Sequence, residues 1–132
     1  MRFDPTRLVA NDIQGLVDLY ELVTAQPAEW LSPIFAEIST PSASLAFGRA
    51  DKGGLFREGI AKPAANQPAF LEFMVDDVDA EFARLRGLVE VVHEPQDMPS
   101  GNRTAQFRDR DGTAVRLYTP VTEAAKLLFS RR

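Results

Sequence analysis

The two halves of this chain repeat a motif. Ala10-Asn11-Asp12-Ile13 precedes a run of apolar residues at helical spacing that ends near Val23, and Val75-Asp76-Asp77-Val78 precedes a second run that ends near Leu88. Asp12 and Asp77 stand 65 residues apart (77 minus 12), about half of the 132-residue chain. This repetition restricts the fold, because one copy of so small a unit cannot bury its apolar face alone. Two copies must pack on each other or on another chain.

With 45% hydrophobic and 26% charged residues, the chain falls in the range of a single globular domain spanning 1–132. It shows no basic or apolar leader and no apolar run long enough to cross a bilayer, so a cytoplasmic location without a membrane partner is expected. The absence of cysteine excludes disulfides, thiolate nucleophiles and cysteine-ligated metals, and a single histidine, His93, removes most histidine-based metal motifs. A net charge of −4 with no Lys/Arg stripe argues against a nucleic-acid partner, and Arg131-Arg132 reads as a solvated tail.

Along the chain, Phe3 to Ala10 carries strand-forming residues, and Asn11-Asp12 can cap a helix through Ile13, Leu16, Val17, Tyr20 and Val23 that Gln26-Pro27 stops. Trp30 to Ile38 reads as an edge or bulged strand because Pro33 lies inside it, and Ser44 to Gly48 as a further short strand. The segment 51–67 holds Gly53-Gly54, Gly59 and Pro63, enough turn formers for a long connection with the potential to act as a lid, anchored by Leu55-Phe56. Phe70 to Val75 is a strong strand, and a helix capped by Asp76-Asp77 follows through Val78, Phe82, Leu85 and Leu88. Strands at Val91–His93, Arg103–Phe107 and Ala114–Tyr118 come next, then a helix over 122–130 capped by Thr122. The result is an α+β chain of two βαβββ modules, about 1–60 and 68–122.

The segments Phe73-Met74-Val75-Asp76-Asp77-Val78-Asp79, Glu94-Pro95 through Met98-Pro99 to Gly101-Asn102-Arg103, and Phe107-Arg108-Asp109-Arg110-Asp111-Gly112-Thr113-Ala114-Val115-Arg116-Leu117-Tyr118-Thr119-Pro120 resemble the vicinal oxygen chelate superfamily. This is the group of glyoxalase I, the bleomycin resistance proteins and the extradiol dioxygenases. The resemblance spans nearly the whole chain and is strongest over 70–120. It implies two modules whose curled mixed sheet surrounds a cavity, commonly completed in a homodimer.

Metal-dependent members hold a divalent ion with His or Glu from four strand positions. Spacing from the two helix starts puts these positions at Pro5 and Phe70, and aligning residues 40–46 with 110–116 puts the others at Ala46 and Arg116. Three of these side chains have no ligating atom and the fourth is a fixed cation, while only Asp4, Glu72 and Ser44 nearby offer oxygen. No metal and no other cofactor is expected.

Strand alternation adds Glu72 and Met74 to the cavity face beside Phe70, Arg7 and Val9 beside Pro5, and Ala114 and Tyr118 beside Arg116. Arg7, Phe70, Glu72, Met74, Arg116 and Tyr118 are thus the candidate ligand-binding residues. Arg116 suits a bidentate grip on an oxyanion, although neutralisation by Glu72 is the more economical expectation. Histidine exchanges protons near neutral pH, so His93 is the candidate shuttle, yet with no nucleophile beside it a structural role is expected. Asp109-Arg110-Asp111-Gly112 reads as a turn rather than a calcium loop. Gly53-Gly54 and Gly101 lack the strand–loop–helix setting of a phosphate cradle, and at least two of Trp30, Phe35 and Phe47 are expected in the core beneath a helix.

Three functions remain open at this level. The favoured one is a metal-free homodimer that binds a small organic ligand, resembling the bleomycin-resistance type in sequestering rather than converting it. The alternative is a glyoxalase-type lyase or isomerase, or a dioxygenase, using atypical metal ligands or Glu72, His93 and Arg116 in metal-free acid/base chemistry. The third is an interaction module whose cavity is filled by Phe70, Met74 and Tyr118.

Overall fold

A computed structural model describes residues 1–50 and 61–130. The chain divides into two compact units, Met1–Asn66 and Gln67–Arg132. Each has the order strand, helix, three strands, and the second adds a C-terminal helix.

In the first unit, strand β1 (Thr6–Ala10) leads into helix α1 (Ile13–Thr24), followed by β2 (Glu29–Ser32), β3 (Phe35–Ser39) and β4 (Ser44–Arg49). The helix starts where it does because the Asp12 carboxylate accepts from Gly15 N at 3.0 Å, satisfying one of the free amides of the first turn. It ends at Ala25 in the left-handed conformation, two residues before Pro27. The sheet order is β1-β4-β3-β2, with β1 parallel to β4 and the other pairs antiparallel. Its helix-facing side is apolar: Phe47 meets the Tyr20 ring at 5.6 Å, and Leu45, Ala36 and Ile38 are buried with it.

The second unit runs β5 (Phe70–Met74), α2 (Val78–Leu85), β6 (Glu90–Asp97), β7 (Asn102–Arg108), β8 (Ala114–Pro120) and α3 (Glu123–Ser130), with sheet order β5-β8-β7-β6. Asp77 caps α2 by accepting from Ala80 N at 3.1 Å, repeating the Asp12 device at the 65-residue offset. Val78, Phe82 and Leu85 of α2 are buried, as are Ala105, Phe107, Val115 and Leu117 on the sheet side facing it. Thr119 fixes the register by accepting from Val78 N and donating to the Val75 carbonyl. Arg103 ties the opposite strand to the helix through Asp79 at 2.7 Å.

Several expectations need correction. The stretch from Trp30 to Ile38 is two strands, broken at Pro33-Ile34, because proline removes the ladder donor at that point. The first strand begins at Thr6 rather than Phe3, after the cis Asp4–Pro5 bond, and β6 runs on to Asp97 through Pro95, which its place at the sheet edge tolerates. Of Trp30, Phe35 and Phe47, only Phe47 enters the core. Trp30 lies on the edge strand at 37% exposure and Phe35 sits half-buried under Arg7. Of the long connection, 51–60, with Leu55-Phe56, lies outside the described residues, as do Arg131-Arg132, and 61–67 forms no helix or strand. No described helix is long and apolar enough to cross a membrane.

Candidate functional site

Because side chains alternate across a strand, whatever is not under α2 lies on the other side of the second sheet. There the register builds one polar row across all four strands. Glu72 of β5 stands opposite Arg116 of β8, Arg116 opposite Gln106 of β7, and Gln106 opposite His93 of β6. Arg116 Nη1 donates to Glu72 Oε1 at 3.2 Å, Nη2 approaches Gln106 Oε1 at 3.5 Å, and the guanidinium carbon sits 5.0 Å from the centre of the Phe70 ring. Arg116 is thus held on three sides, by a counter-charge, an amide and an aromatic face. Phe70 and Met74, on either side of Glu72, are 46% and 54% exposed, so the row is flanked by accessible apolar surface.

The three residues considered for acid/base chemistry therefore share a row without converging. Strands are spaced at about 4.8 Å, which puts His93 about 14 Å from Glu72 across three gaps. His93 is turned to its own strand: Nδ1 donates to the Glu94 carbonyl at 2.9 Å, since a carbonyl can only accept.

Toward the C-terminal end of β8, the next row is Met74, Tyr118, Thr104 and Gln96. Helix α3 closes over it, with Phe129 on Tyr118 at 5.1 Å between ring centres. Thr104 is only 3% exposed, and its Oγ1 has no hydrogen-bond partner. Arg116 Nε and Asn102 Oδ1 share that condition, and by strand parity all three lie on the side of the sheet opposite α2. Sequence reasoning missed Gln106, Thr104 and Asn102. The signal was the alternation of β7 itself, which puts 102, 104 and 106 on the face opposite Arg103, Ala105 and Phe107.

In the first unit the corresponding row reads Arg7, Ala46, Glu37 and Glu29. Arg7 lies over the Phe35 ring at 5.5 Å. Ala46 is fully buried, and Asp4 Oδ1 accepts from Ser44 N at 2.7 Å. The acidic loop after β7 is a turn closed by Gly112 at φ 83°, with Asp109 Oδ1 accepting from Asp111 N and Thr113 N at 2.8 and 2.9 Å. That carboxylate is engaged by backbone amides, as a turn requires.

Residues 2–117 match the profile of the Glyoxalase/Bleomycin resistance protein/Dioxygenase superfamily. The chain belongs to this vicinal oxygen chelate superfamily. Solved structures with the same fold include a glyoxalase/bleomycin resistance protein/dioxygenase from Nocardioides, 20% identical over 93% of this chain and 88% of that one, with a TM-score of 0.71. A protein of unknown function from Agrobacterium tumefaciens is 24% identical over 90% and 94%, with a TM-score of 0.74. A lactoylglutathione lyase from the same organism is 22% identical over 89% and 92%, with a TM-score of 0.66. No curated protein matches the chain in sequence.

The superfamily's metal positions can be tested against these residues. Ala46 and Phe70 bring no ligating atom, Pro5 follows an aspartate already bonded to Ser44, and Arg116 brings a cation. Glu72 is the carboxylate of the second unit's row, and it is paired with Arg116. Among the described residues, no group of three or more His, Cys, Asp or Glu is arranged to hold a metal ion. Among the described residues, the side chains at these positions do not fit a divalent centre.

Proposed function

We propose that this protein is a small-molecule-binding member of the vicinal oxygen chelate superfamily that works without the superfamily's metal centre. The observation that carries this reading is the Glu72–Arg116–Gln106–His93 row, flanked by exposed Phe70 and Met74 on the side of the second sheet opposite α2. Apolar walls with a few fixed polar groups suit a compact organic ligand. Sequestration is favoured over turnover, because Glu72 is engaged as the counter-ion of Arg116 and His93 lies about 14 Å away by strand spacing, out of reach of a shared reacting atom. The filled-cavity alternative fits less well, since Phe70 and Met74 stand open to solvent.

A thermal-shift screen of small carboxylates, amides and cationic aromatics tests the reading. Compounds that stabilise the wild type and not Arg116→Ala support it, and a screen in which nothing stabilises the wild type rejects it. We further propose a cytoplasmic homodimer. The edge strands β2 and β6 carry exposed Leu31 and Val92, surface that a second copy would cover. Sedimentation giving a monomer at micromolar concentration would reject that part.

A further inference from the structure

Helix α3 is fixed at its start and latched near its end. The Gly101 carbonyl accepts from Val121 N at 2.9 Å and from Thr122 N at 3.2 Å, and Thr122 Oγ1 accepts from Ala125 N at 3.2 Å. Ala125 is buried over Gly101, where a Cβ on the glycine would stand 3.1 Å from its own. One turn further on, along the same side of the helix, Phe129 is half-buried with its ring 5.1 Å from that of Tyr118. The outward side of α3 is open, with Leu127 and Leu128 at 58% and 53% exposure. Backbone hydrogen bonds thus hold the first turn, and a ring contact closes the last.

Tyr118 belongs to the same face as the polar row. It lies two positions beyond Arg116 on β8, so strand parity puts both on the side opposite α2, about 7 Å apart along the strand. Met74 stands opposite Tyr118 as Glu72 stands opposite Arg116, and Met74 is 54% exposed, so apolar surface continues from the Arg116 row to the row that Phe129 covers. A planar ligand whose polar end is held at Arg116 and whose ring extends along β8 meets the Phe129 ring on Tyr118. We propose that α3 is a built-in competitor at this site: Phe129 occupies on Tyr118 the seat of an aromatic ligand ring, and binding of such a ligand releases the end of the helix while Gly101 keeps its start in place. The proposal rests on the small-molecule reading above and adds its regulation. Affinity is then set by the fraction of molecules in which Phe129 has left Tyr118, because only that fraction is open to the ring.

Titration of the full chain by NMR with 1-naphthoate, which carries a ring, and butanoate, which does not, tests this. Phe129→Ala should bind 1-naphthoate about fivefold more tightly than the wild type, the worth of one aromatic pair, and should bind butanoate as the wild type does. Leu128→Ala, which alters the exposed side of α3, should match the wild type with both probes. In the wild type, saturating 1-naphthoate should lower the hydrogen-exchange protection of the α3 amides, whereas a ligand seated without displacing the helix leaves it unchanged or raises it. An unchanged or weaker 1-naphthoate affinity in Phe129→Ala, an equal gain in Leu128→Ala, or α3 amides that exchange no faster with 1-naphthoate bound overturns the proposal. If neither the wild type nor Phe129→Ala binds 1-naphthoate while the thermal-shift screen yields Arg116-dependent ligands, the competition falls and the small-molecule reading stands. If both are empty, both fall.

Discussion

Thr104 is a buried polar residue that folding leaves without a hydrogen-bond partner for its hydroxyl. Its hydroxyl is buried with no partner, so it loses its hydrogen bond to water on folding and gains none in return. Thr104→Val should therefore stabilise the ligand-free protein by about 1 kcal/mol, read as a higher urea midpoint at unchanged slope. A lower midpoint would mean that the hydroxyl is satisfied in solution. Gly101 makes the converse case. Its φ of 92° suits glycine, and an added Cβ would lie 2.3 Å from Thr122 Oγ1, the oxygen that accepts from Ala125 N at the start of α3. Gly101→Ala should cost about 2 kcal/mol through backbone strain and the displaced cap, measured by the same unfolding experiment. Residue by residue, what the sequence disclosed was parity. Glu72, Met74 and Tyr118 follow from strand alternation beside Phe70 and Arg116, and the Glu72–Arg116 neutralisation follows from opposite charges in one row. Burial without a partner, as at Thr104, depends on what neighbouring elements cover, which no local pattern encodes. Trp30 illustrates the same limit, because an aromatic residue in an apolar run does not reveal whether its strand lies at an edge.

At the scale of elements, helix starts were the most legible features, because an N-cap is decided within four residues. Asp12 and Asp77 each accept from the amide three positions on, as their sequence setting predicts. Strand ends were less so, since Pro33 falls in the turn that joins β2 to β3, while Pro95 lies inside β6 where its register against β7 shifts between His93 and Gln96. The tie between α2 and β7 gives a pH-dependent element. Hydrogen bonds from Arg103 hold Asp79 below the ordinary carboxylate range, and Asp79 with Asp97 in turn raises Arg103. A lowered carboxylate contributes stability above its unfolded value of about 3.9, and that contribution fades as pH falls through this range toward the folded value. Arg103→Gln should return Asp79 to the ordinary range in a carboxyl-detected NMR titration and flatten this part of the acid-unfolding profile. An unmoved Asp79 would show the ion pair to be absent in solution. Helix α3 is a second element with a distinct expectation. Phe129→Ala removes its ring contact with Tyr118, and α3 amides should then lose hydrogen-exchange protection while α1 and the strands keep theirs.

For the whole molecule, the 65-residue repeat preserves shape while the side chains on the sheets differ between the two copies. Both units keep the capped helix, the parallel pairing of their first and last strands and the same strand order, all set by local patterning and register. The rows through Ala46 and Arg116, two of the positions the resemblance assigns to metal ligands, differ between the copies: Arg7–Ala46–Glu37–Glu29 in one and Glu72–Arg116–Gln106–His93 in the other. A fold held by helix-facing apolar residues has no energetic need for an ion, so the thermal midpoint should not depend on one. Linkage makes this measurable. An ion present at 100 times its dissociation constant would add about 2.7 kcal/mol, and even 1 kcal/mol moves the midpoint of a domain this size by roughly 4 °C. Protein purified without chelator should therefore melt at the same temperature with EDTA, Zn²⁺, Mn²⁺ or Ni²⁺ added, and carry less than stoichiometric metal by elemental analysis. A midpoint that falls by several degrees in EDTA and recovers with one of these ions would show a centre built from other ligands, and would return the molecule to the metal-dependent side of its superfamily. If the midpoint holds, Arg116 accounts for it, because it puts a fixed positive charge at a position that the resemblance assigns to a ligand.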